Sequence, residues 1–403
     1  MESIVENRKV FKRNKILNLI RTHEDCSRCD IKKMTSYSMA TVLSVVDELV
    51  AGKYIIETES QTRNVGRKPA LLRINSDYGY FVGLEFHATQ INCATLDFLG
   101  RIIHRSNLPI VDGDDVHRVL EKLRVLIADA IEQSAKPPLG IGVGVPGYYD
   151  AANGIGNEYK LIPGWCNVPV RDFVEAHFHV PCFIENNVTA MAIGYQYDYL
   201  QGDVTKDFLF ASIRSGVRLV AVADNALYLC NNGYAGQLGH VKIREGGSRM
   251  CLCGKRGCLN TEVADTGLKQ KILEDIAAGK MQHIWGNAGK NPENVTIPLY
   301  VDSVLSGNGE SLNLLNQTAD YLGRALGMMT DILAPSQIVV YGELARCHDF
   351  LLRPLRHALC ENAMPDNTQH LALTLCAPDE RLGAYGAARL VMRKMYEFIK
   401  ETV

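Results

Sequence analysis

Four side chains that commonly bind metals lie close together in the middle of the chain. They are one imidazole and three thiols within nineteen residues: His240, Cys251, Cys253 and Cys258. Zn²⁺ takes four nitrogen or sulfur ligands in a tetrahedron, and three cysteines with one histidine are a common structural set. Gly254 and Gly257 would let the chain turn tightly between the thiols. The spacing predicts a structural zinc site; the alternative is a group of side chains that are simply buried.

A second group of candidate residues lies near the N-terminus, where positive charge is in excess. Residues 1–75 hold 14 Lys and Arg against 9 Asp and Glu, although the whole chain has 43 and 45 and a net charge of −2. Apolar periodicity predicts helices at 8–22, 28–35 and 37–52, with Ser27 capping the second, and strands at 54–57 and 71–74. This order is typical of a winged helix-turn-helix domain that binds DNA. The alternative is a three-helix protein-interaction module with a hairpin.

The third predicted helix has a polar face suited to a DNA groove. Its apolar positions, which include Met39 and Leu43, recur at helical spacing, and Gly52 ends the pattern. Small polar side chains on the other face would let the helix backbone enter the major groove. Basic residues in the loop between the two strands would reach a phosphate or the minor groove. The predicted DNA contacts are Ser36, Tyr37, Ser38, Ala40, Thr41 and Ser44 on the helix and Arg63, Arg67 and Lys68 on the wing.

Beyond this N-terminal domain, called the head below, predicted strands and helices alternate. Two hairpins, each followed by helices and further strands, indicate two α/β lobes with a cleft between them. The predicted domains are a winged helix-turn-helix at 1–76, a first lobe at 77–192 plus 380–403, and a second lobe with the metal loop at 193–379.

Five motifs stand out in these lobes. They are Val145-Pro146-Gly147, Glu185-Asn186-Asn187, Gly236-Gln237-Leu238-Gly239-His240, the cysteine loop at 251–258, and Gly383-Ala384-Tyr385-Gly386-Ala387-Ala388. Together with the head, these motifs resemble the ROK family (repressors, open reading frames, kinases), and the resemblance covers nearly the whole chain. It implies an actin-like ATPase (ribonuclease-H-like) fold, a sugar site in the cleft, a structural zinc ion, and homodimers or homotetramers. Members with an extra N-terminal domain are mostly sugar-responsive repressors.

Three parts of the family's kinase chemistry are altered in this chain. The family's catalytic base is the Asp of a Glu-Asn-Asp motif, and here that position is Asn187, whose amide is not a useful base near neutral pH. The first phosphate loop, Asp-x-Gly-Gly-Thr in the family, reads Glu-Phe-His-Ala-Thr at 85–89, and the second, Gly-Thr-Gly-x-Gly, reads Arg-Ser-Gly-Val-Arg at 214–218. These losses predict a DNA-binding transcriptional repressor that is not an enzyme. The alternative is a ROK sugar kinase with an added DNA-binding head.

The family's sugar contacts can be carried over residue by residue. Three of the family's carboxylates are amides here, and amides still hydrogen-bond hydroxyl groups. Because fewer negative charges tolerate an anion better, the predicted effector is a sugar, a sugar phosphate or a sugar acid. The alternative is a site that binds nothing. The predicted effector contacts are Gly147, Asn186, Asn187, Gln237, His240 and Asn260, with His240 serving either both the metal and the effector or the metal alone.

The composition fits a soluble cytoplasmic protein. The 403 residues are 47% hydrophobic and 22% charged, and the N-terminus shows no secretion signal. No apolar run reaches the roughly 20 residues that span a bilayer, so we expect no membrane insertion. A dimer would place two heads on a roughly palindromic double-stranded DNA operator. A scaffold that binds another protein through its acidic body is a third possibility.

Overall fold

The structure is a computed structural model that describes residues 2–23, 25–59, 70–134, 136–200, 207–223, 226–228 and 233–396. The chain divides into two compact units, Met1–Asp198 with Glu380–Val403, and Tyr199–Asp379. The first unit contains an N-terminal head (residues 2–74) and a first α/β lobe. The second unit is a second α/β lobe. The domain boundaries predicted after residues 76, 192 and 379 concern separately folding domains and remain a prediction.

The described part of the head contains three helices and a three-stranded antiparallel sheet. Strand β3 lies in the middle of this sheet and pairs with β1 on one side and β2 on the other. Strand β1, with only two residues, is too short for a sequence pattern to indicate. The elements are α1 (Glu2–Thr22), β1 (Cys26–Ser27), α2 (Arg28–Met34), α3 (Met39–Ala51), β2 (Ile55–Glu59) and β3 (Ala70–Ile74).

Capping side chains fix the helix ends in the head. The Ser27 hydroxyl accepts from the Asp30 backbone N–H while the Asp30 carboxylate accepts from the Ser27 N–H, which is a capping box for α2. Ser38 caps α3 by accepting from the Thr41 N–H, and Gly52 ends that helix. Helix α1 begins at Glu2, six residues before the predicted start at residue 8. The prediction started late because it followed apolar spacing, which is clear only further along the helix.

Helix α3 buries a narrower stripe than the sequence predicts. Its buried residues are Val42, Val45, Val46 and Leu49. Met39 and Leu43, which the apolar spacing places on the same stripe, are instead 36% and 39% exposed. At 100° per residue, Leu43 lies about 60° from Ala40 and about 100° from Ser44 around the helix, so it borders the outward face. The exposed face of α3 therefore combines small polar groups with an apolar side chain.

The first lobe is built on a five-stranded sheet in the order β11–β7–β4–β5–β6. Strands β4, β5 and β6 are antiparallel, whereas β7 and β11 run parallel to β4. The ends of β4, β7 and β11 therefore meet at one edge of the sheet. The elements are β4 (Tyr80–Phe86), β5 (Gln90–Asp97), β6 (Ile102–Pro109), α4 (Val116–Glu132), β7 (Gly140–Val145), a small sheet of β8 (Tyr148–Asp150), β9 (Ile155–Glu158) and β10 (Cys166–Val168), then α5 (Val170–Phe178), β11 (Cys182–Asn186) and α6 (Asn187–Asp198).

The second lobe repeats this arrangement with a sheet in the order β14–β13–β12–β15–β16. Its core packs helices against one face of the sheet. Helix α11, which is 25 residues long, and strand β16 are not among the elements expected from the sequence. The elements are β12 (Phe208–Ile213), β13 (Val217–Ala223), β14 (Ala226–Leu227), α7 (Asn260–Val263), α8 (Asp265–Ala277), α9 (Gln282–Asn287), α10 (Ile297–Leu305), α11 (Gly309–Leu333), β15 (Gln337–Tyr341), α12 (Asp349–Glu361), α13 (Pro365–Thr368) and β16 (Ala372–Cys376).

The last helix, α14 (Glu380–Tyr396), returns to the first unit and joins the head to the first lobe. Gly83 lets it approach the sheet, because a Cβ there would lie 2.1 Å from the Ala384 carbonyl oxygen. Near its end, the Tyr396 ring centroid lies 6.1 Å from that of Tyr54 in the head and 5.1 Å from that of Phe98 in the lobe. The head and the first lobe thus share one hydrophobic core.

Two further observations concern the described residues as a whole. Each cysteine among them is a free thiol. Within the same ranges, no helix combines the length and apolar character needed to cross a bilayer.

Candidate functional site

The four predicted metal ligands come together in the second lobe. Their ligand atoms all lie within 4.8 Å of one another. Cys253 Sγ lies 3.6 Å from Cys258 Sγ, and Cys251 Sγ lies 3.5 Å from His240 Nδ1. Zinc bonds of about 2.0–2.3 Å in a tetrahedron would separate the ligand atoms by about 3.5–3.8 Å. The donor set and its spacing therefore fit a tetrahedral metal ion.

Backbone turns bring these ligands to one point. His240 ends a short 3₁₀ turn, and Lys242 pairs with Cys258 across the base of the cysteine loop. Gly254 and Gly257 have φ angles of 82° and 78°, in the left-handed region that glycine favours. A Cβ on Gly257 would lie 2.0 Å from the Arg244 carbonyl oxygen, so this turn requires glycine.

The local environment affects the ligands differently. Burial raises the pKa of Cys258 to about 12, and the neighbouring Cys253 and Cys251 add to the effect. Burial also acts to raise the pKa of Cys253, but hydrogen bonds to its sulfur outweigh burial, so the pKa is lowered. The largest of these hydrogen-bond effects comes from the Lys255 backbone. Burial also lowers the pKa of His240, with a further contribution from Lys255, which favours the neutral imidazole. A metal needs thiolates and neutral imidazole, so binding must release the Cys258 proton.

A buried ion pair fastens the cysteine loop to helix α7. Arg249 Nη2 lies 2.6 Å from Glu262 Oε2, and each side chain is only 6% exposed. Arg249 Nε also donates to the Thr261 carbonyl oxygen at 3.0 Å, and Nη1 to the exposed Glu274 carboxylate at 3.1 Å. Glu262 is therefore engaged by an arginine that lies two residues before Cys251. The loop is therefore attached to α7 through Arg249, in addition to the contacts within the cysteine–histidine cluster.

In the first lobe, the amides of Asn186 and Asn187 are bonded to protein atoms. Asn187 Nδ2 donates to Glu85 Oε1 at 3.3 Å and to the Phe86 carbonyl oxygen at 3.2 Å. Asn186 Nδ2 donates to the Gly147 and Val145 carbonyl oxygens at 3.2 and 3.5 Å, and both side-chain oxygens accept from the Val188 N–H at 2.9 Å. An amide has two N–H donors and spare lone pairs on its oxygen. The amides thus hold the ends of β4, β7 and β11 together and keep only acceptor capacity for a ligand.

Two buried carboxyl groups accompany these amides. Glu85 and Glu185 are 3% and 2% exposed. Asn92 Nδ2 donates to Glu85 Oε2 at 3.5 Å, and Glu185 Oε1 accepts from the Tyr149 hydroxyl and from the Asn186 N–H. The surroundings of the two amides therefore still contain carboxyl groups, which the sequence comparison at positions 186 and 187 does not reveal.

The second lobe holds the remaining predicted effector contacts, Gln237, His240 and Asn260. Gln237 precedes the 3₁₀ turn that ends at His240. Asn260 Oδ1 accepts from the Val217 N–H at 2.8 Å, and a Cβ on Gly239 would lie 1.9 Å from this oxygen. Asn260 therefore connects the altered loop at 214–218 with the turn that carries His240.

Beside the same loop, Asp265 opens helix α8. Its N–H donates to the Arg214 carbonyl oxygen at 2.9 Å. Burial raises the pKa of its carboxyl group to about 7, against an opposing effect from Arg214. The Oδ1 atom is buried and accepts no hydrogen bond from the described residues.

The head presents the predicted recognition face to solvent. Ser36, Ser38, Ala40 and Ser44 are exposed, and Tyr37 and Thr41 are half-buried. Leu43 shares this face, where an apolar side chain suits a thymine methyl group. The sequence did not indicate Leu43 as a DNA contact, because an apolar residue at helical spacing is usually buried in the core. The predicted wing contacts Arg63, Arg67 and Lys68 lie outside the described residues.

A winged helix-turn-helix head on a two-lobed, sugar-kinase-like α/β body defines the class of protein. A family model described as ROK family matches residues 81–394. The chain belongs to the ROK family.

Similarity to individual proteins covers either the whole chain or the body alone. The xylose repressor of Caldicellulosiruptor bescii is 25% identical over 390 residues, which cover 95% of this chain and 96% of that protein. The glucokinase of Halalkalibacterium halodurans is 26% identical over 322 residues, or 78% of this chain and 96% of that enzyme. The crystal structure of a ROK family transcriptional regulator, a homologue of the E. coli MLC protein, superposes with a TM-score of 0.83 at 21% identity over 96% of both chains. The predicted fold class is confirmed.

Proposed function

We propose that this protein is a sugar-responsive transcriptional repressor that binds a double-stranded DNA operator. The observation that carries the proposal is the exposed polar start of α3 in a head that shares its core with a ROK body. Similarity to a xylose repressor along 95% of the chain supports it, since the similarity to a glucokinase covers only 78%.

The body acts as a sensor and not as a kinase in this proposal. Asn187, at the position of the family's base, uses both N–H groups on Glu85 and Phe86. A group that donates its protons to acceptors cannot take a proton from a sugar hydroxyl. A coupled assay for ADP release over a panel of sugars tests this point, and steady turnover would favour the alternative, a ROK sugar kinase with a DNA-binding head.

The metal in this proposal is a structural Zn²⁺ ion. His240, Cys251, Cys253 and Cys258 would hold it and leave no position open for substrate. The ion would supply binding energy that folds the loop 240–258. Its second role would be to orient the His240 ring, whose other nitrogen can face a ligand hydroxyl.

The effector is proposed to be a neutral sugar. The buried Glu85 and Glu185 beside Asn186 and Asn187 disfavour a phosphate or a second carboxylate there. Sugar hydroxyls can donate to the oxygens of these amides, which retain acceptor capacity. The name of the C. bescii relative makes xylose the first sugar to test. In a homodimer, two heads would meet a roughly palindromic site, and the sugar would change operator affinity through its differential affinity for two conformations.

Selection of DNA from a random library by the purified protein tests the function. We expect enrichment of a roughly palindromic sequence, followed by a change in its affinity when xylose, but not xylose phosphate, is added. Isothermal titration with each neutral and phosphorylated sugar pair measures binding directly. Failure to enrich any sequence would reject the proposed function, whereas enrichment without any sugar effect would reject only the sensor part.

A further inference from the structure

Two lysines of helix α1 lie over the aromatic ring that precedes the recognition helix. Lys12 Nζ is 5.9 Å and Lys15 Nζ is 5.6 Å from the centroid of the Tyr37 ring. Ammonium groups within about 6 Å of a ring face are attracted by the π-electrons. Both charges are thus held beside Ser36, Tyr37 and Ser38, where α3 begins.

Four other cations of the head form ion pairs with carboxylates. By contrast, no carboxylate of the described residues forms an ion pair with Lys12 or Lys15. The acidic groups of α3, Asp47 and Glu48, are already paired. The observed pairs are Lys9 with Glu48 (3.3 Å), Arg28 with Asp47 (2.9 Å), Lys33 with Asp30 (3.5 Å) and Arg73 with Asp25 (2.7 Å).

Lys12 and Lys15 lie at the N-terminal end of the recognition helix. Lys9 meets Glu48 near the C-terminal end of α3, whereas Lys12 and Lys15, further along α1, meet Tyr37 before its N-terminal end. Lys12 and Lys15 are also three residues apart on one helix face, an arrangement in which like charges repel. An anion bound beside them would remove this repulsion.

We propose that Lys12 and Lys15 are DNA-backbone contacts, which bind phosphates next to the bases that α3 reads. This inference rests on the proposed DNA-binding function. Phosphate contacts come commonly from lysines and fix the orientation of a recognition helix without reading sequence. In this arrangement the Tyr37 ring positions the two ammonium groups, so α1 and α3 dock on the duplex as one surface.

The test is the salt dependence of operator affinity for Lys12→Gln and Lys15→Gln. Each substitution should reduce the slope of log K against log salt by about one, and should weaken operator and scrambled duplexes alike. Lys12→Arg and Lys15→Arg should retain the wild-type slope, because the charge remains. Tyr37→Leu, which removes the ring, should weaken binding more than Tyr37→Phe.

Lys53→Gln is the matched control. Lys53 is exposed and follows the C-terminal end of α3, about 20 Å from Ser38 by the helix rise. It should leave the slope unchanged. Wild-type slopes in Lys12→Gln and Lys15→Gln, or an equal loss in Lys53→Gln, would overturn the inference. If the wild-type protein binds no duplex at all, the proposed function has failed instead, so the two failures are distinguishable.

Discussion

The cysteine–histidine cluster and the Asn186–Asn187 pair are both compact groups of polar side chains, but their internal contacts differ. In the cluster, four lone-pair donors face one another within 4.8 Å. In the amide pair, each N–H points at an oxygen, of Glu85 or Phe86 for Asn187 and of Gly147 or Val145 for Asn186. The first group therefore presents lone pairs to one point, whereas the second matches its donors with acceptors.

This difference shows how side-chain contacts can indicate what a group binds. A group of acceptors without donors is unfavourable unless a cation or protons join it, so its geometry points to an external partner. A group with matched donors and acceptors is stable alone, and a ligand can use only the lone pairs that remain. Residue type identifies both groups as polar, but only the contacts separate them.

Removing one ligand from the cluster should have the largest effect. Cys258→Ser leaves three ligands, and we expect the loss of bound zinc and a destabilisation of the second lobe by about 4 kcal/mol or more. Zinc content by atomic spectroscopy and thermal unfolding measure the two effects together.

Cys360→Ser is the matched control for this prediction. Cys360 is an exposed free thiol on α12 in the same lobe. This variant should retain its zinc and its melting temperature. A Cys258→Ser protein that kept both as well would show that the cluster is only a buried thiol group.

The Arg249–Glu262 ion pair should give the next largest effect. It is a matched pair like the amides and is also buried, but it carries charge. Glu262→Gln leaves the Arg249 guanidinium buried without its closest counter-charge, which should cost about 3 kcal/mol. Glu274→Gln removes the exposed partner of the same arginine and should cost about 0.5 kcal/mol. Chemical denaturation of the two variants compares them, and equal losses would contradict the assigned roles.

Restoring the family's acid at position 187 should destabilise the first unit instead of restoring catalysis. Asn187→Asp replaces an N–H donor, 3.3 Å from Glu85 Oε1, with a second carboxyl oxygen. Two acids at this distance cannot both ionise without repulsion, so we expect a loss of about 2 kcal/mol at neutral pH and less in acid. Thermal unfolding at both pH values measures the loss, and the ADP assay should show no turnover.

Glu85→Gln supplies the control for this substitution. In the double variant with Asn187→Asp, the new amide can donate to the new carboxylate, so much of the lost stability should return. If the two single losses simply add, residues 85 and 187 are not coupled and the explanation fails.

The sequence predicted the parts of this molecule that depend on local spacing. The metal ligands lie within nineteen residues, and the predicted cap Ser27 lies within three residues of the group that it bonds. By contrast, the saturation of Asn187 depends on Glu85, 102 positions away. The position of Lys12 and Lys15 over the Tyr37 ring likewise depends on how α1 packs against the start of α3. The exposure of Leu43 likewise depends on which side of α3 the rest of the head covers.

A third kind of buried group, at Asp265, gives the smallest effect. Its Oδ1 accepts no hydrogen bond from the described residues, and burial raises the pKa to about 7, with Arg214 opposing and Glu343 adding to the shift. The carboxyl group therefore keeps its own proton. Because the folded pKa exceeds the ordinary value of 3.8, the folded protein binds more protons than the unfolded chain between these two values. The resulting stability is complete below the lower value and is lost as pH rises through the upper one.

Asp265→Asn should remove this dependence, because the amide is neutral at every pH in the range. The variant should exceed the wild type in stability by about 1 kcal/mol near pH 8, and the difference should shrink or reverse near pH 5. Melting temperatures of both proteins across this range measure the effect. A wild-type advantage that grows with pH would mean that the ionised carboxylate has a partner, such as Arg214 or a bound ligand. Asp265 would then resemble the Asn186–Asn187 and Arg249–Glu262 pairs, in which each polar group has a partner.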